Sequence, residues 1–234
     1  AQNCNLTLLV GQNGLMSTPA TSAVIRSVKS ELGGLILTAS HNPGGPDNDW
    51  GIKYNAPNGG PAIETITDAI YQQTLRLTQL HRTPVVNSKF PQVDLSKKEV
   101  NALEVKFGES NTFTVRVIDS VRIYSDLLFE IFDMKAIESL LKRSDFKMIY
   151  DSMHGITGLY TTEILGGKLG VSADSLMNAT PLEDFGGGHP DPNLAYAPDL
   201  VRKLFNGEAD FGAASDGDGD RNMILGDKCF VTPS

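Results

Sequence analysis

Residues 215 to 225 read SDGDGDRNMIL, which sets Asp216, Asp218 and Asp220 at alternating positions with glycine between them. Three carboxylates so close repel one another at neutral pH, and a hard divalent cation taking one oxygen from each removes that cost. The glycines let the backbone turn far enough for all three to converge. The spacing is not that of an EF-hand. Arg221 stands where the turn glycine belongs, Asp227 stands where a glutamate would finish the loop, and both flanks read as strands. Three carboxylates also leave an octahedral Mg²⁺ short of ligands, so the loop calls for phosphate oxygens or water to complete the shell. Arg221 adds a planar donor fork suited to phosphate.

A second stretch, LTASHNPGGPDNDWGIKYN at residues 37 to 55, runs a short apolar strand into Ser40 and His41 at a Pro/Gly-rich turn. Taken alone, Ser40 and Asn42 are turn residues that bond nearby backbone. Beside a metal loop another chemistry opens. A phosphorylated Ser40 carries about −1.5 to −2 charge at neutral pH and three acceptor oxygens, which supplies the phosphate the aspartate loop lacks. A metal shared by the three aspartates and phospho-Ser40 would neutralise the phosphoryl group and help transfer it in line. His41 and Lys53 become candidates for proton transfer or charge stabilisation at the acceptor hydroxyl. On their own they would read as a turn histidine and a solvated lysine.

Positioning these groups falls to an alternation of strands and helices. Leu6 to Val10 is an apolar run closed by GQNG. Thr18 is placed to cap a helix, with Pro19 first inside it and Ala20, Val24 and Val28 on one face. Gly34 to Leu37 supplies the next strand, and strand, helix, strand predicts parallel pairing of the two strands. A helix with Ile63, Ile66 and Ile70 at helical spacing follows. Residues 81 to 112 read as a loop-rich excursion ending in a linker near Asn111.

A second unit then opens on an amphipathic helix carrying Val121, Tyr124, Leu128 and Ile131. It continues with FKMIYD as strand, GLYTTEILGGKLG and APDLVRKLFNGE as helices, and ADFGAAS as strand. Ser40, Asp151 and Asp216 each follow the end of an inferred strand, where ligands gather in open parallel sheets. Asp151, ahead of His154 in DSMHG, reads as a cap for the next segment, and GGGHPDPNL, with His189 and Asp191, reads as a rigid loop. The expectation is two consecutive α/β domains with mixed, mostly parallel sheets, divided into residues 1–112 and 113–234.

Composition narrows the function classes. With 234 residues the chain is long enough for two α/β domains with proper cores. Its net charge of −8 and its 20 scattered basic residues argue against nucleic acid or an anionic membrane as partner. Cys4 and Cys229 lack metal-ligand spacing and suit a reducing, cytoplasmic setting. No stretch approaches the roughly 20 apolar residues of a membrane span. The start AQNCNLTLLV is not that of a signal peptide, and both ends read as internal to a longer protein.

TASHNPGGPDNDWGIKYN together with DGDGDRNM resembles the α-D-phosphohexomutase superfamily. GIKYNAPNGGPA, DSMHGITG, PLEDFGGGHPDPNLAYAPDLV and DFGAASDGDGDRNMILG are similar to its eukaryotic-type phosphoglucomutase branch, parafusins included. The resemblance spans nearly the whole chain and is weakest over residues 81 to 112. It implies a fragment of a four-domain enzyme: the later part of the first domain, with the phosphoserine loop, and most or all of the second, with the metal loop. The implied reaction interconverts glucose 1-phosphate and glucose 6-phosphate through glucose 1,6-bisphosphate, phospho-Ser40 giving and regaining the phosphoryl group. The implied ligands of Mg²⁺ are Ser40, Asp216, Asp218 and Asp220. Ser40, Lys53, Asp220 and Arg221 would meet the substrate, and His41 and Lys53 would assist at the reacting oxygen. Three family motifs, an early arginine motif, a sugar-reading loop and a distal phosphate loop, have no counterpart here, which implies weak Mg²⁺ binding and poor turnover by this chain alone. Two rivals stand beside this reading: a phosphohexomutase for another sugar phosphate, and a phosphoprotein of vesicle trafficking that keeps the fold and Ser40.

Overall fold

The computed structural model describes residues 5–79, 93–107 and 111–232. Strand β1 (Leu6–Gly11) leads through a tight turn into helix α1 (Thr18–Val28). The cap lies one residue earlier than expected. Ser17 Oγ accepts from Ala20 N at 3.2 Å, so Thr18 is already inside the helix with its hydroxyl released for another partner. Strands β2 (Gly34–Thr38) and β3 (Gly51–Asn55) flank the Ser40 turn and pair antiparallel, Ile36 opposite Lys53. Helix α2 (Glu64–Thr74) follows with Ile66 and Ile70 exposed, as periodicity marks a helix face without saying what covers it.

Where a loop and linker were expected, β4 (Val100–Phe107) and β5 (Asn111–Ile118) form an antiparallel pair. In β4 the half-buried Leu103 and Val105 alternate with the exposed Glu104 and Lys106, but the register shift between Asn101 and Leu103 breaks that two-residue period on an edge strand and leaves it short. Residues 81–92 and 108–110 of that excursion lie outside the described residues. The expected pairing of β1 with β2 is corrected as well. β1 pairs in parallel with β5, and β2 takes β3, its neighbour across the Ser40 turn. Strand β5 runs through residues 112 and 113, where the division between units was expected.

The second half begins with α3 (Ser120–Ile131) and α4 (Met134–Leu141). Then come β6 (Met148–Asp151), α5 (Thr157–Thr161) continued by a wider helical turn to Lys168, and the short β7 (Leu176–Met177). Helix α6 (Pro198–Phe205) precedes β8 (Phe211–Ser215), β9 (Asn222–Gly226) and β10 (Cys229–Val231). The sheet order is β10-β9-β8-β6-β7, with β6 parallel to β7 and β8 and the other pairs antiparallel. Across the described strands the sheets are mixed but not mostly parallel, because hairpin-like neighbours supply the remaining pairings.

Two cores hold these layers. Leu200 and Leu204 of α6 pack, fully buried, on Ile149, Ala214, Met223 and Leu225 of the sheet. The other core joins the halves: Ala20 of α1 meets Tyr160, Ile164 and Leu169, with Val121, Tyr124 and Leu128 of α3 packed around them. The Tyr160 hydroxyl accepts from Ser17 N at 3.2 Å and lies 3.3 Å from Ser120 Oγ, so one phenol ties the start of α1 to α3 and α5. Val28 and Ile131, read as members of these faces, are exposed at the helix ends.

Truncating Leu200 to alanine removes a wholly buried side chain and is expected to destabilise the fold by about 2–5 kcal/mol. A urea unfolding curve with a lowered midpoint and an unchanged slope would carry that result.

Candidate active site

The β8–β9 hairpin carries the three aspartates in its turn. Asp216 N donates to Arg221 O, and Asp216 Oδ1 accepts from Gly219 N and Arg221 N, each at 3.0 Å, so the loop is wound about its first carboxylate. Gly219 has φ +80°, a left-handed turn that glycine adopts without strain. Beneath the loop, Ile156 N donates to Gly217 O, and Gly155 lies so close to the backbone of Gly217 that a Cβ would stand 2.9 Å from its oxygen. Asp151 accepts from Met153 N at 2.8 Å and from Asn178 Nδ2 at 2.9 Å, which bears out its reading as a cap.

Oxygens of Asp216, Asp218 and Asp220 all lie within 4.8 Å of one another. Asp216 and Asp218 are buried and Asp220 is exposed, so the cluster opens on one side only. Asp216 Oδ2 is buried without a hydrogen bond, although Arg221 Nη2 stands 3.0 Å away outside hydrogen-bond alignment. Three convergent hard oxygens, one of them orphaned in the interior, fit a divalent cation such as Mg²⁺.

The first half brings countercharge. Lys53 of β3 donates to Asp218 Oδ2 at 2.5 Å, to Asp220 Oδ2 at 2.8 Å and to Ser40 Oγ at 3.3 Å. Thr18, released from capping, donates its hydroxyl to Asp218 Oδ2 at 2.6 Å and its N–H to Asp218 O at 2.9 Å. Asp218 thus meets the N-terminal end of α1, the positive end of its dipole. Sequence spacing gave no signal for this role of Thr18, since its partner is 200 residues away.

Ser40 sits where the sequence placed it, at the end of β2, with φ +59°. The turn holds that conformation by donating Ser40 N to Thr38 Oγ1 at 2.8 Å and Asn42 N to Ala39 O. Ser40 Oγ donates to Asp218 Oδ1 at 3.4 Å and accepts from Lys53 and from Arg221 Nη2. The same Arg221 nitrogen donates to His41 Nδ1. A guanidinium cannot accept, so Nδ1 is the acceptor, and a neutral His41 carries its proton on Nε2. Ser40, His41, Lys53, Asp216, Asp218, Asp220 and Arg221 are all brought together, and Ser40, Lys53, Asp220 and Arg221 line a groove of about 970 Å³ that is also lined by Tyr124, Leu127, Leu128 and Ile131 of α3.

The family profile described as phosphoglucomutase/phosphomannomutase, alpha/beta/alpha domain I, matches residues 3–81, and its domain II counterpart matches residues 122–228. The chain belongs to the phosphoglucomutase/phosphomannomutase family. A chloroplastic phosphoglucomutase of Arabidopsis thaliana is 52% identical over 228 residues, covering 97% of this chain and 34% of the relative. Human phosphoglucomutase-1 is 52% identical over 231 residues, covering 97% of this chain and 40% of its own length. The chain therefore spans well under half of these relatives. The open form of the Paramecium exocytosis-sensitive phosphoprotein pp63/parafusin superimposes with a TM-score of 0.86 at 45% identity, over 97% of this chain and 42% of that one. In this chain the two matched regions meet at the Ser40 turn and the aspartate loop.

Burial raises the Asp216 carboxyl to about 6, with the neighbouring carboxylates of Asp218 and Asp220 adding to the rise and the Arg221 backbone N–H opposing it. Burial also acts to raise Asp218, but hydrogen bonds from Lys53 and Thr18 outweigh it and hold Asp218 below the usual carboxylate range. Burial acts to lower Lys53, and its bonds to Asp218 and Asp220 outweigh that too, so its ammonium is kept.

A folded-state value above the unfolded one means that Asp216 favours folding below the ordinary carboxylate range and loses that contribution as pH rises through about 6. Asp218, with its lowered value, loses its contribution only at lower pH. Without divalent cations the melting temperature is therefore expected to fall between pH 5 and 7 by an amount that Asp216→Asn abolishes. Mg²⁺ should raise the melting temperature at pH 7.5 and much less at pH 5, where a proton occupies Asp216. Equal Mg²⁺ shifts at both pH values would contradict this assignment.

Proposed function

We propose that the protein containing this chain is a phosphoglucomutase that interconverts glucose 1-phosphate and glucose 6-phosphate through glucose 1,6-bisphosphate and a phosphorylated Ser40. One observation carries the reading: Ser40 Oγ lies within hydrogen-bond reach of Asp218, Lys53 and Arg221, beside a three-carboxylate cluster. A phosphoryl group on Ser40 needs that combination of cation, positive side chains and a leaving oxygen held by donors. The relatives named phosphoglucomutase support glucose as the sugar.

Asp216, Asp218 and Asp220, with the Ser40 phosphate, would hold Mg²⁺, which when bound neutralises charge on the transferring phosphoryl group. This chain's own residues act on the oxygens. In transfer to the sugar, the bond from phosphorus to Ser40 Oγ breaks and one to the sugar hydroxyl oxygen forms. The hydroxyl loses a proton and Oγ gains one. Lys53, 3.3 Å from Oγ and kept charged by Asp218 and Asp220, is placed to give that proton and to be recharged by the one the hydroxyl loses. Arg221 bridges Oγ and His41 and would follow the phosphate, while His41, with its proton on Nε2, donates toward developing charge.

The partners proposed are sugar phosphates, with glucose 1,6-bisphosphate as activator. No helix among the described residues is long and apolar enough to cross a membrane. The cytoplasm is the proposed compartment on cysteine usage alone, because chloroplastic and human relatives match at the same 52% identity. A second reading, to which the parafusin likeness lends only the words exocytosis-sensitive phosphoprotein, keeps the fold and a phosphorylated Ser40 in a phosphoprotein of vesicle trafficking.

The full-length protein, incubated with Mg²⁺ and glucose 1,6-bisphosphate carrying labelled phosphate, is expected to take label on Ser40 and to release it into sugar bisphosphate when chased with glucose 1-phosphate. Asp218→Ala should abolish labelling, and Lys53→Met should slow it by about 10²–10³-fold. Label that stays on Ser40 through the chase would instead support the phosphoprotein.

A further inference from the structure

An aromatic ring packs against both the Ser40 turn and the aspartate loop, beside the point where the Ser40 carbonyl meets Gly217. Phe185 has φ +53°, a left-handed conformation that a bulky side chain seldom adopts. Its surroundings in the second half of the chain impose it. Leu182 N donates to His154 O at 3.0 Å, Phe185 N to Leu182 O at 3.2 Å, Gly186 N to Asp184 Oδ1 at 3.0 Å, and Gly188 N to Phe185 O at 3.2 Å.

The ring leaves this tethered turn and meets two glycines. A Cβ on Gly44 would stand 2.8 Å from Phe185 Cε2 and 3.0 Å from Glu183 O. A Cβ on Gly217 would stand 2.9 Å from Phe185 Cζ and 3.0 Å from Cε1, and closer still to the carbonyl of Ser40. Gly44 follows Ser40 in the phosphoserine turn, and Gly217 lies between Asp216 and Asp218. Neither glycine has a left-handed φ, so it is the ring and the facing backbone, not conformation, that leave no room for a side chain. Lys53 and Arg221 pull the two loops together on long, flexible stems, and such stems do not set a distance. A close-packed ring does.

We propose that Phe185 is a positioning residue, its ring wedged between Gly44 and Gly217 to set the separation of the Ser40 turn from the carboxylate loop. The role in catalysis rests on the phosphoserine reading, whereas the wedge itself does not. An error on the order of 1 Å in that separation would misalign phosphoryl transfer while leaving the three aspartates, wound about their own backbone, able to bind a cation.

Two measurements test this. In the 234-residue chain, Gly44→Ala should lower the melting temperature in the parent and do so by at least about 3 °C less in a Phe185→Ala background, since the clash with the ring is gone and only the approach to the Glu183 carbonyl remains. Additive effects would overturn the wedge whatever the protein does. In the full-length protein, Phe185→Ala should slow Ser40 labelling from glucose 1,6-bisphosphate by roughly 10- to 100-fold, with Phe185→Leu intermediate and Phe185→Tyr near the parent. Mg²⁺ affinity, read from the Mg²⁺ dependence of the melting temperature, should stay within about twofold. Unchanged labelling, or Mg²⁺ affinity lost in step with labelling, would overturn the positioning role. A parent that never labels at Ser40 would refute the mutase reading and leave the first measurement to decide the wedge. Should Phe185→Ala not fold, Phe185→Leu serves in both arms.

Discussion

Three carboxylates with oxygens inside 4.8 Å cannot all stay charged in a buried loop unless positive charge reaches them. The rest of the site answers that constraint. Arg221 comes from the loop itself, but Lys53 and the N-terminal end of α1 come from the other half of the chain. Electrostatics therefore demands that the halves meet, and the same contacts that neutralise Asp218 deliver Ser40 Oγ to it. Asp216, reached by no side-chain donor in hydrogen-bond alignment, keeps its raised pKa, which marks where a cation contributes most.

The apolar packing makes that meeting rigid. Ala20 of α1 is wholly buried against Tyr160 and its neighbours, and the Tyr160 hydroxyl takes the N–H of Ser17, the cap of the same helix. The start of α1 is thus held at a side chain and at a cap, and Thr18, the next residue, has little freedom left when it meets Asp218. The Ser40 turn is held differently, by the β2–β3 ladder behind it and by side-chain bonds in front. Phe185 reaches it from the aspartate side. Fine placement comes from groups that carry no charge, while the charged groups supply attraction.

Much of the site was legible because its information is local. The alternation of aspartate and glycine, a serine and histidine at a strand end, and a lysine on the strand that follows can each be read in a window of some twenty residues. Strands β6 and β8 and helices α3 and α6 were legible for the same reason: an apolar period or a short apolar run shows in the residues themselves. Other features were not. The apolar alternation of β4 is short and broken at the Asn101/Leu103 register shift, and the partner of β1 is β5, about a hundred residues on, rather than the nearest strand in sequence. Ser17 and Thr18 are both good caps, and only the presence of Asp218 draws Thr18 out of that role.

By itself the sequence determined which chemistry was possible: a hard-cation loop, a hydroxyl fit for phosphorylation, and cations of the right kind, together with family membership through motifs along most of the chain. It could do so because residue type and short spacing decide donor chemistry and local turns. Only the tertiary structure decided that Lys53 serves two aspartates and Ser40 at once, that Arg221 shares one nitrogen between Ser40 and His41, and that Phe185 finds its room at two glycines far apart in the chain. Most of those relations join residues more than a hundred positions apart. They depend on how sheets and helices pack, a property of the whole chain and of no window within it.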